Sequence, residues 1–245
     1  MKALILAAGY ATRLYPLTKE YPKPLLKVGR KHIIDYILGK LDMLDEVDEV
    51  IVVTNSKFMP YFKKWARALK IKKPLRLVDD LTMSLSDRRG AIGDMSFALK
   101  QKKIKDNLLV VGGDNLFNED LGKFLSFVMA HQYNPAIGVF DIRKKQEAKK
   151  YGVVKLDKES KIVDFKEKPS LPESTLVAMC LYYFPKEKLK LINDYLSRRS
   201  NKHDATGFYI DWLRQKESVY GFVFHGRWYD IGDKKFYRKA NSEFK

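Results

Sequence analysis

Cysteine is nearly absent from the 245 residues. Cys180 stands alone inside the apolar run LVAMCLYYF, so no intramolecular disulfide forms. That usage fits a reducing compartment, and a cytoplasmic location is expected. Histidine is scarce as well: His32, His131, His203 and His225 show no metal-ligand spacing. No apolar run is long enough to span a membrane, and the first one is too short for a signal peptide. Internal repeats, low-complexity linkers and the G-x-G-x-x-G fingerprint of dinucleotide folds are all missing. A nicotinamide-dependent dehydrogenase is thereby disfavoured. Acidic residues are outnumbered, 30 against 47 Lys and Arg, for a net charge of +17. The basic residues are spread along the chain, as in Lys63-Lys64, Lys72-Lys73, Lys144-Lys145 and Lys149-Lys150. They form no single arm or helix face, which weakens a nucleic-acid-binding reading. A solvated lysine-rich surface accounts for most of the excess, and small polyphosphate substrates would suit the remainder.

What is present is an apolar core and a regular alternation. Hydrophobic residues make up 45% of the chain, enough to bury a sizeable core. Up to about residue 140, strand-like runs alternate with helical patterns. Leu4–Ala8, Val50–Thr54, Leu75–Val78 and Asn107–Asn115 read as strands. Ile34, Ile37, Leu38 and Leu41 keep helical spacing, as do Phe58, Phe62, Trp65 and Leu69, and later Leu121, Phe124, Leu125 and Val128. The pattern predicts an α/β fold: a Rossmann-like, mostly parallel (mixed) sheet sandwiched by helices. In the later part AIGVFDI, YGVVKLD, KIVDF and LVAMCLYYF are strands with little helix between them. They read as an inserted β-rich part packed on the first sheet. A single domain over 1–245 is expected, with a nucleotide-binding core at 1–140 and a part at 141–245 that completes the site.

Ligands of such sheets sit beyond the carboxyl ends of the strands. Two motifs lie there. In LILAAGYATRL a strand runs into Ala7, Ala8 and Gly9, where backbone N–H groups can approach an anion. Thr12 adds a hydroxyl and Arg13 a fixed cation with several donors. The stretch YPLTKEYPKPLL carries three prolines, so it is stiff, and it returns Lys23 towards Arg13. Two cations on one stiff loop suit a leaving pyrophosphate. In VVGGDNLF, Asp114 follows a buried strand and two glycines, a place for a Mg²⁺ ligand, and GRWYDIGD supplies Asp230 as the second carboxylate. Asp233 is the better candidate to cap the last helix. FKEKPS offers Glu167 for sugar hydroxyls beside Lys168 for a sugar phosphate.

In this order, LILAAGYATRLYPLTKEYPKPLL, VVGGDN, YGVV, FKEKP, LYYF and WYDIGD resemble the sugar-phosphate nucleotidylyltransferases. The closest branch is the glucose-1-phosphate thymidylyl- and uridylyltransferase type. The resemblance implies the nucleotide-diphospho-sugar transferase fold and transfer of a nucleotidyl group to a sugar 1-phosphate. It gives Arg13, Lys23 and Asp114 catalytic roles, and Asp114 and Asp230 the Mg²⁺. Leu6, Ala8, Gly9, Thr12, Asp80 and Gly90 would contact the nucleotide. Gly152, Glu167, Lys168 and Ala178 would contact the sugar phosphate. The implied partners are a nucleoside triphosphate and a sugar 1-phosphate, with no nucleic acid and no membrane; a homo-oligomer stays open. Longer relatives carry a C-terminal β-helix of hexapeptide repeats. Here one helix follows Asp230, so no second acyltransferase or regulatory domain is expected.

The departures from that pattern are local. Ala11 stands where the family usually has a second glycine, and Cys180 where a glycine is common. Asp79-Asp80 occupies the place of a base-reading glutamine, within VDDLTMSLSDRRGAIGD. An Asp accepts from an amino group but cannot reproduce an amide's paired donor and acceptor. Cytosine therefore stays open, as does an inositol or choline phosphate as acceptor. A catalytically silent regulatory relative is disfavoured by the presence of Arg13, Lys23, Asp114 and Asp230 together.

Overall fold

The computed structural model describes residues 1–198 and 205–244. In chain order the elements are β1 (Lys2–Leu6), β2 (Lys27–Val28), β3 (Lys31–His32), α1 (Ile33–Asp42), β4 (Glu49–Thr54), α2 (Met59–Ala68), β5 (Leu75–Asp79) and α3 (Gly90–Gln101). There follow β6 (Leu108–Gly112), β7 (Asn115–Phe117), α4 (Leu121–Ala130), β8 (Ala136–Asp141), α5 (Lys145–Ala148), β9 (Gly152–Leu156), β10 (Ile162–Glu167) and β11 (Leu176–Phe184). The chain closes with α6 (Lys190–Leu196), α7 (Thr206–Leu213), β12 (Tyr220–Phe224), β13 (Trp228–Asp230) and α8 (Lys234–Glu243). His203 lies outside the described residues.

Nine strands form one mixed sheet. Its main path is β10-β9-β11-β6-β1-β4-β5, with β8 on β11 and β12 on β8. β1 runs parallel to both β4 and β6, and β4 parallel to β5. β11 runs antiparallel to β6 and joins the later strands to the same sheet. All six residues of β4 are buried, as a parallel strand covered on both faces requires. Alternation sorts β1 between two cores: Ala3 and Ile5 face α1, α2 and α4, while Leu4 faces α3, α6 and α7. The sandwich expected from the alternating pattern is the one observed.

Helix ends follow local chemistry. The Asp120 side chain accepts from Gly122 N at the start of α4. Asp233 Oδ1 accepts from Lys235 N and Phe236 N, so Asp233 does cap α8. A third, smaller core joins Leu14, Leu26, Val28 and Ile33 to Leu116, Tyr229, Ile231, Ala240 and Phe244. This cluster positions the site, because it clamps the N-terminal loop against the C-terminal end of the described chain. Leu14 is 1% exposed there. Truncating such a side chain to Ala typically costs about 2–5 kcal/mol.

Candidate active site

The loop after β1 is pinned from behind. Ala7 N donates to Val53 O at 2.8 Å, and buried Asn55 Nδ2 donates to Ala8 O at 2.9 Å. Leu6 O accepts from Gly113 N at 2.8 Å, which binds the loop to the end of β6. Gly9 is exposed, and a Cβ there would meet nothing within 4 Å, so the backbone is open to close approach. Ala11 then adopts φ +47°, in the left-handed region. That conformation costs a non-glycine residue about 1–2 kcal/mol. It swings the chain into a single 3₁₀ turn, Thr12–Leu14, which exposes Thr12 and Arg13 and buries Leu14.

A second 3₁₀ turn, Lys23–Leu25, is set by Pro24 and packed by buried Leu25. Lys23 Nζ donates to Ile231 O at 2.8 Å and forms an ion pair with Asp114. Asp114 sits between β6 and β7. Antiparallel pairing of β7 with β13 places Asn115 opposite Asp230, which brings Asp114 beside Asp230. Burial first, and then the neighbouring Asp114 charge, pushes the Asp230 carboxyl from 3.8 up to about 6; Lys23 and Arg13 pull the other way. Arg13 is close by. A Cβ on Gly232 would lie 3.3 Å from Asp230 Oδ2 and 3.6 Å from both terminal nitrogens of Arg13.

Among the described residues no three His, Cys, Asp or Glu gather as a metal cage. Asp114 and Asp230 nevertheless fit Mg²⁺, which takes one or two carboxylates and completes its shell with phosphate oxygens and water. Their mutual repulsion, visible in the raised Asp230, is what a divalent cation relieves. The Lys23 ammonium supplies part of that neutralisation here.

Both carboxylates and Arg13 line a cavity of about 320 Å³. Gly152, Glu167, Lys168, Ala178 and the first residues of α7 line the same cavity. Glu167 is wedged between two backbones. A Cβ on Gly207 would collide with Glu167 Oε2, and one on Gly152 would collide with the Phe165 ring and lie 3.1 Å from the same oxygen. Burial raises the Glu167 carboxyl above its ordinary value. Lys168, at φ +48°, donates its backbone N–H to Tyr151 O at 3.0 Å. Its ammonium lies 3.6 Å from Glu167 Oε1 at the cavity mouth. Ala178 and Tyr182 flank a break in register where β11 meets β8, and Cys180 sits inside it at φ +54°. Burial pushes its thiol up to about 12, which makes it an inert wall group.

Leu6, Ala8, Gly9, Thr12, Lys23, Asp80 and Gly90 lie outside the lining of that cavity. Lys23 reaches it through Asp114, and Gly90 (φ +73°) opens α3 immediately before the lining residue Ala91. Asp80 is 1% exposed, and its carboxylate accepts from Thr82 N at 2.7 Å and Thr82 Oγ1 at 2.8 Å. Thr82 in turn lies 3.2 Å from the Tyr10 hydroxyl, so Asp80 ties the 80–89 loop to the β1 loop. Two site residues escaped the sequence reading. Asn115 accepts from Trp228 Nε1 at 2.5 Å and donates to Met179 O, bolting the ribbon that carries both carboxylates onto β11. The signal was present in the GGDN and GRWYD motifs, but only as neighbours of the acids.

The family model described as "Nucleotidyl transferase" matches residues 2–245. The bifunctional protein GlmU of Methanocaldococcus jannaschii is 29% identical over 235 residues, 95% of this chain and 51% of that protein. A protein described as a mannose-1-phosphate guanyltransferase of Sulfolobus acidocaldarius is 30% identical over 246 residues, 99% of this chain and 63% of that protein. A glucose-1-phosphate adenylyltransferase of Mycoplasma mobile is 26% identical, covering 98% of this chain and 66% of its own. The chain thus spans about half to two thirds of the length of these relatives. A solved Bacillus anthracis structure, described as a glucose-1-phosphate thymidylyltransferase with a sucrose, has a TM-score of 0.81 at 21% identity. It covers 99% of this chain and 94% of that one, and it shares the fold. With a family model matched from the first strand to the end of the chain and a fold in common with a solved relative, the chain belongs to the nucleotidyl transferase family.

Proposed function

We propose that the protein transfers a nucleotidyl group from a nucleoside triphosphate to a sugar 1-phosphate, forming a nucleoside diphosphate sugar and releasing pyrophosphate. One observation carries this reading. Arg13, Asp114 and Asp230, with Lys23 paired to Asp114, share one cavity with Glu167 and Lys168. Phosphate-binding charge and a sugar-sized recess thus share one space. The triphosphate lies along Ala8, Gly9 and Thr12, with Leu6 and Gly90 flanking the nucleoside. Gly152, Glu167 and Ala178 take the sugar, and Lys168 takes its phosphate.

An oxygen of the sugar phosphate attacks the α-phosphorus. The new P–O bond forms as the bond to the bridging β-phosphate oxygen breaks, and pyrophosphate leaves with the electron pair. No proton changes hands, because the attacking phosphate is already anionic, so no general base is required. Arg13 and Lys23 stabilise the charge that gathers on the departing phosphates, and catalysis is positioning plus electrostatics. Asp114 and Asp230 would hold Mg²⁺, which when bound supplies charge neutralisation for the phosphate oxygens.

For the finer identity we propose dTTP or UTP with glucose 1-phosphate. The alternative is cytidylyl transfer to a sugar, inositol or choline phosphate. It is favoured by Asp79-Asp80 standing where a base-reading amide is usual in the resembled branch. The burial of Asp80 against Thr82 makes its role the shape of the base-side loop. The test is a pyrophosphate-release panel with Mg²⁺, crossing the common nucleoside triphosphates with glucose, mannose and N-acetylglucosamine 1-phosphates, inositol phosphate and phosphocholine. One productive pair supports the proposal and names the substrates. Silence across the panel favours a non-catalytic relative.

A further inference from the structure

Lys150 lines the catalytic cavity together with Arg13 and Lys168, yet the roles assigned so far leave it idle. The sequence presents it as half of the Lys149-Lys150 doublet, one of several that read as solvated surface charge. Its surroundings set it apart. Among the described residues its ammonium forms no ion pair and rests on the Phe236 ring, 5.2 Å from the centroid. An exposed cation–π contact is weak beside an ion pair, so an incoming anion displaces it readily. The other lysines of the site are already engaged. Lys23 pairs with Asp114, and the Lys168 ammonium lies 3.6 Å from Glu167 Oε1.

The backbone fixes where Lys150 starts from. After α5, Lys150 N donates to Glu147 O at 3.2 Å and Tyr151 N donates to Ala148 O at 3.0 Å, and Ala148 is fully buried. Tyr151 then packs on Trp228 with ring centroids 5.3 Å apart, while its carbonyl accepts from Lys168 N at 3.0 Å. Through Tyr151, Lys150 is tied both to the strand that carries Asp230 and to the backbone of Lys168. Gly152, next in the chain, lines the same cavity.

We propose that Lys150 is a further substrate-binding residue, whose ammonium leaves the Phe236 ring and grips the acceptor's phosphate together with Lys168. The inference rests on the reading of this cavity as the site of nucleotidyl transfer to a sugar phosphate, and it adds a residue which that reading leaves out. Charge favours the assignment. The acceptor phosphate carries more than one negative charge at neutral pH, and Lys168 shares its own charge with Glu167. A second ammonium on a flexible four-carbon stem brings three donors to the remaining phosphate oxygens. Resting on an aromatic ring keeps it at the cavity without a carboxylate partner that the phosphate would have to displace.

The test sets phosphate-bearing acceptors against their dephosphorylated counterparts, by isothermal titration of the full chain and by steady-state kinetics. The pairs are glucose 1-phosphate with glucose, N-acetylglucosamine 1-phosphate with N-acetylglucosamine, and phosphocholine with choline. In Lys150→Ala the phosphate ligand that the parent binds should weaken at least tenfold, while its counterpart and the KM for the nucleoside triphosphate stay within about twofold. Lys150→Arg should hold the same phosphate ligand within about threefold of the parent. Lys150 is exposed, so the fold does not depend on it, and circular dichroism checks this. A phosphate ligand held equally well by parent and Lys150→Ala, or a loss shared by its counterpart or by the nucleotide, overturns the inference alone. If none of the three phosphates binds the parent, the reading of the cavity fails and the inference falls with it.

Discussion

Neutralising one acid of the site should make the folded protein more stable. Asp230 carries a carboxyl raised from 3.8 to about 6 by burial and by Asp114. The folded protein therefore holds a proton on this group more readily than the unfolded chain does. The penalty is absent below about pH 3, where both states are protonated. It grows as pH rises and is complete above about pH 6. At about 1.4 kcal/mol per pH unit, the limit is about 3 kcal/mol, and residual solvation brings the expected gain in Asp230→Asn to about 1–3 kcal/mol. For a chain of this size that corresponds to a Tm higher by roughly 3–10 °C. The assay is thermal unfolding of parent and variant in a chelator at pH 7.5 and pH 4. The gain should be present at pH 7.5 and cut to roughly a fifth of that at pH 4. A variant no more stable than the parent at pH 7.5, or equally stabilised at both pH values, would refute the electrostatic account of this pair.

Arg13→Ala and Lys23→Ala should each lower kcat on the order of 10²-fold or more, measured by pyrophosphate release, with the fold intact by circular dichroism. Gly207→Ala places a methyl on Glu167 Oε2, so the KM for sugar phosphate should rise at least tenfold while the KM for the nucleotide stays within about twofold. Ala11→Gly relieves the left-handed φ of +47°, and urea unfolding should show a net gain of up to about 1 kcal/mol.

Much of the fold was legible because long elements carry their period in the sequence. The apolar run Leu4–Ala8 and the Ile34, Ile37, Leu38, Leu41 stripe appear as β1, which stops at Leu6, and α1. The site was legible as residue types but not as geometry. Asp114 and Asp230 are joined by β7 and β13, three residues each, too short to show any alternation. The single predicted strand Asn107–Asn115 is in fact β6, a turn at Gly113-Asp114, and the start of that ribbon. The left-handed backbone at Ala11, Lys168 and Cys180 is hidden because none is glycine. Tertiary packing holds those conformations, and no local propensity announces them. Asp80 illustrates the opposite case. Its partner is two residues away, an Asx-type turn that D-L-T spells locally, yet its burial depends on Tyr10 and Thr82 meeting across the sheet edge.

The most direct measurement is the binding of Mn²⁺, as a paramagnetic substitute for Mg²⁺, to the protein with a nucleoside triphosphate, followed by electron paramagnetic resonance. One bound ion per chain is expected for the parent, weakened at least tenfold by either Asp114→Ala or Asp230→Ala. Undiminished binding of that ion in the double variant would contradict the pairing of these two acids on which the whole site is built.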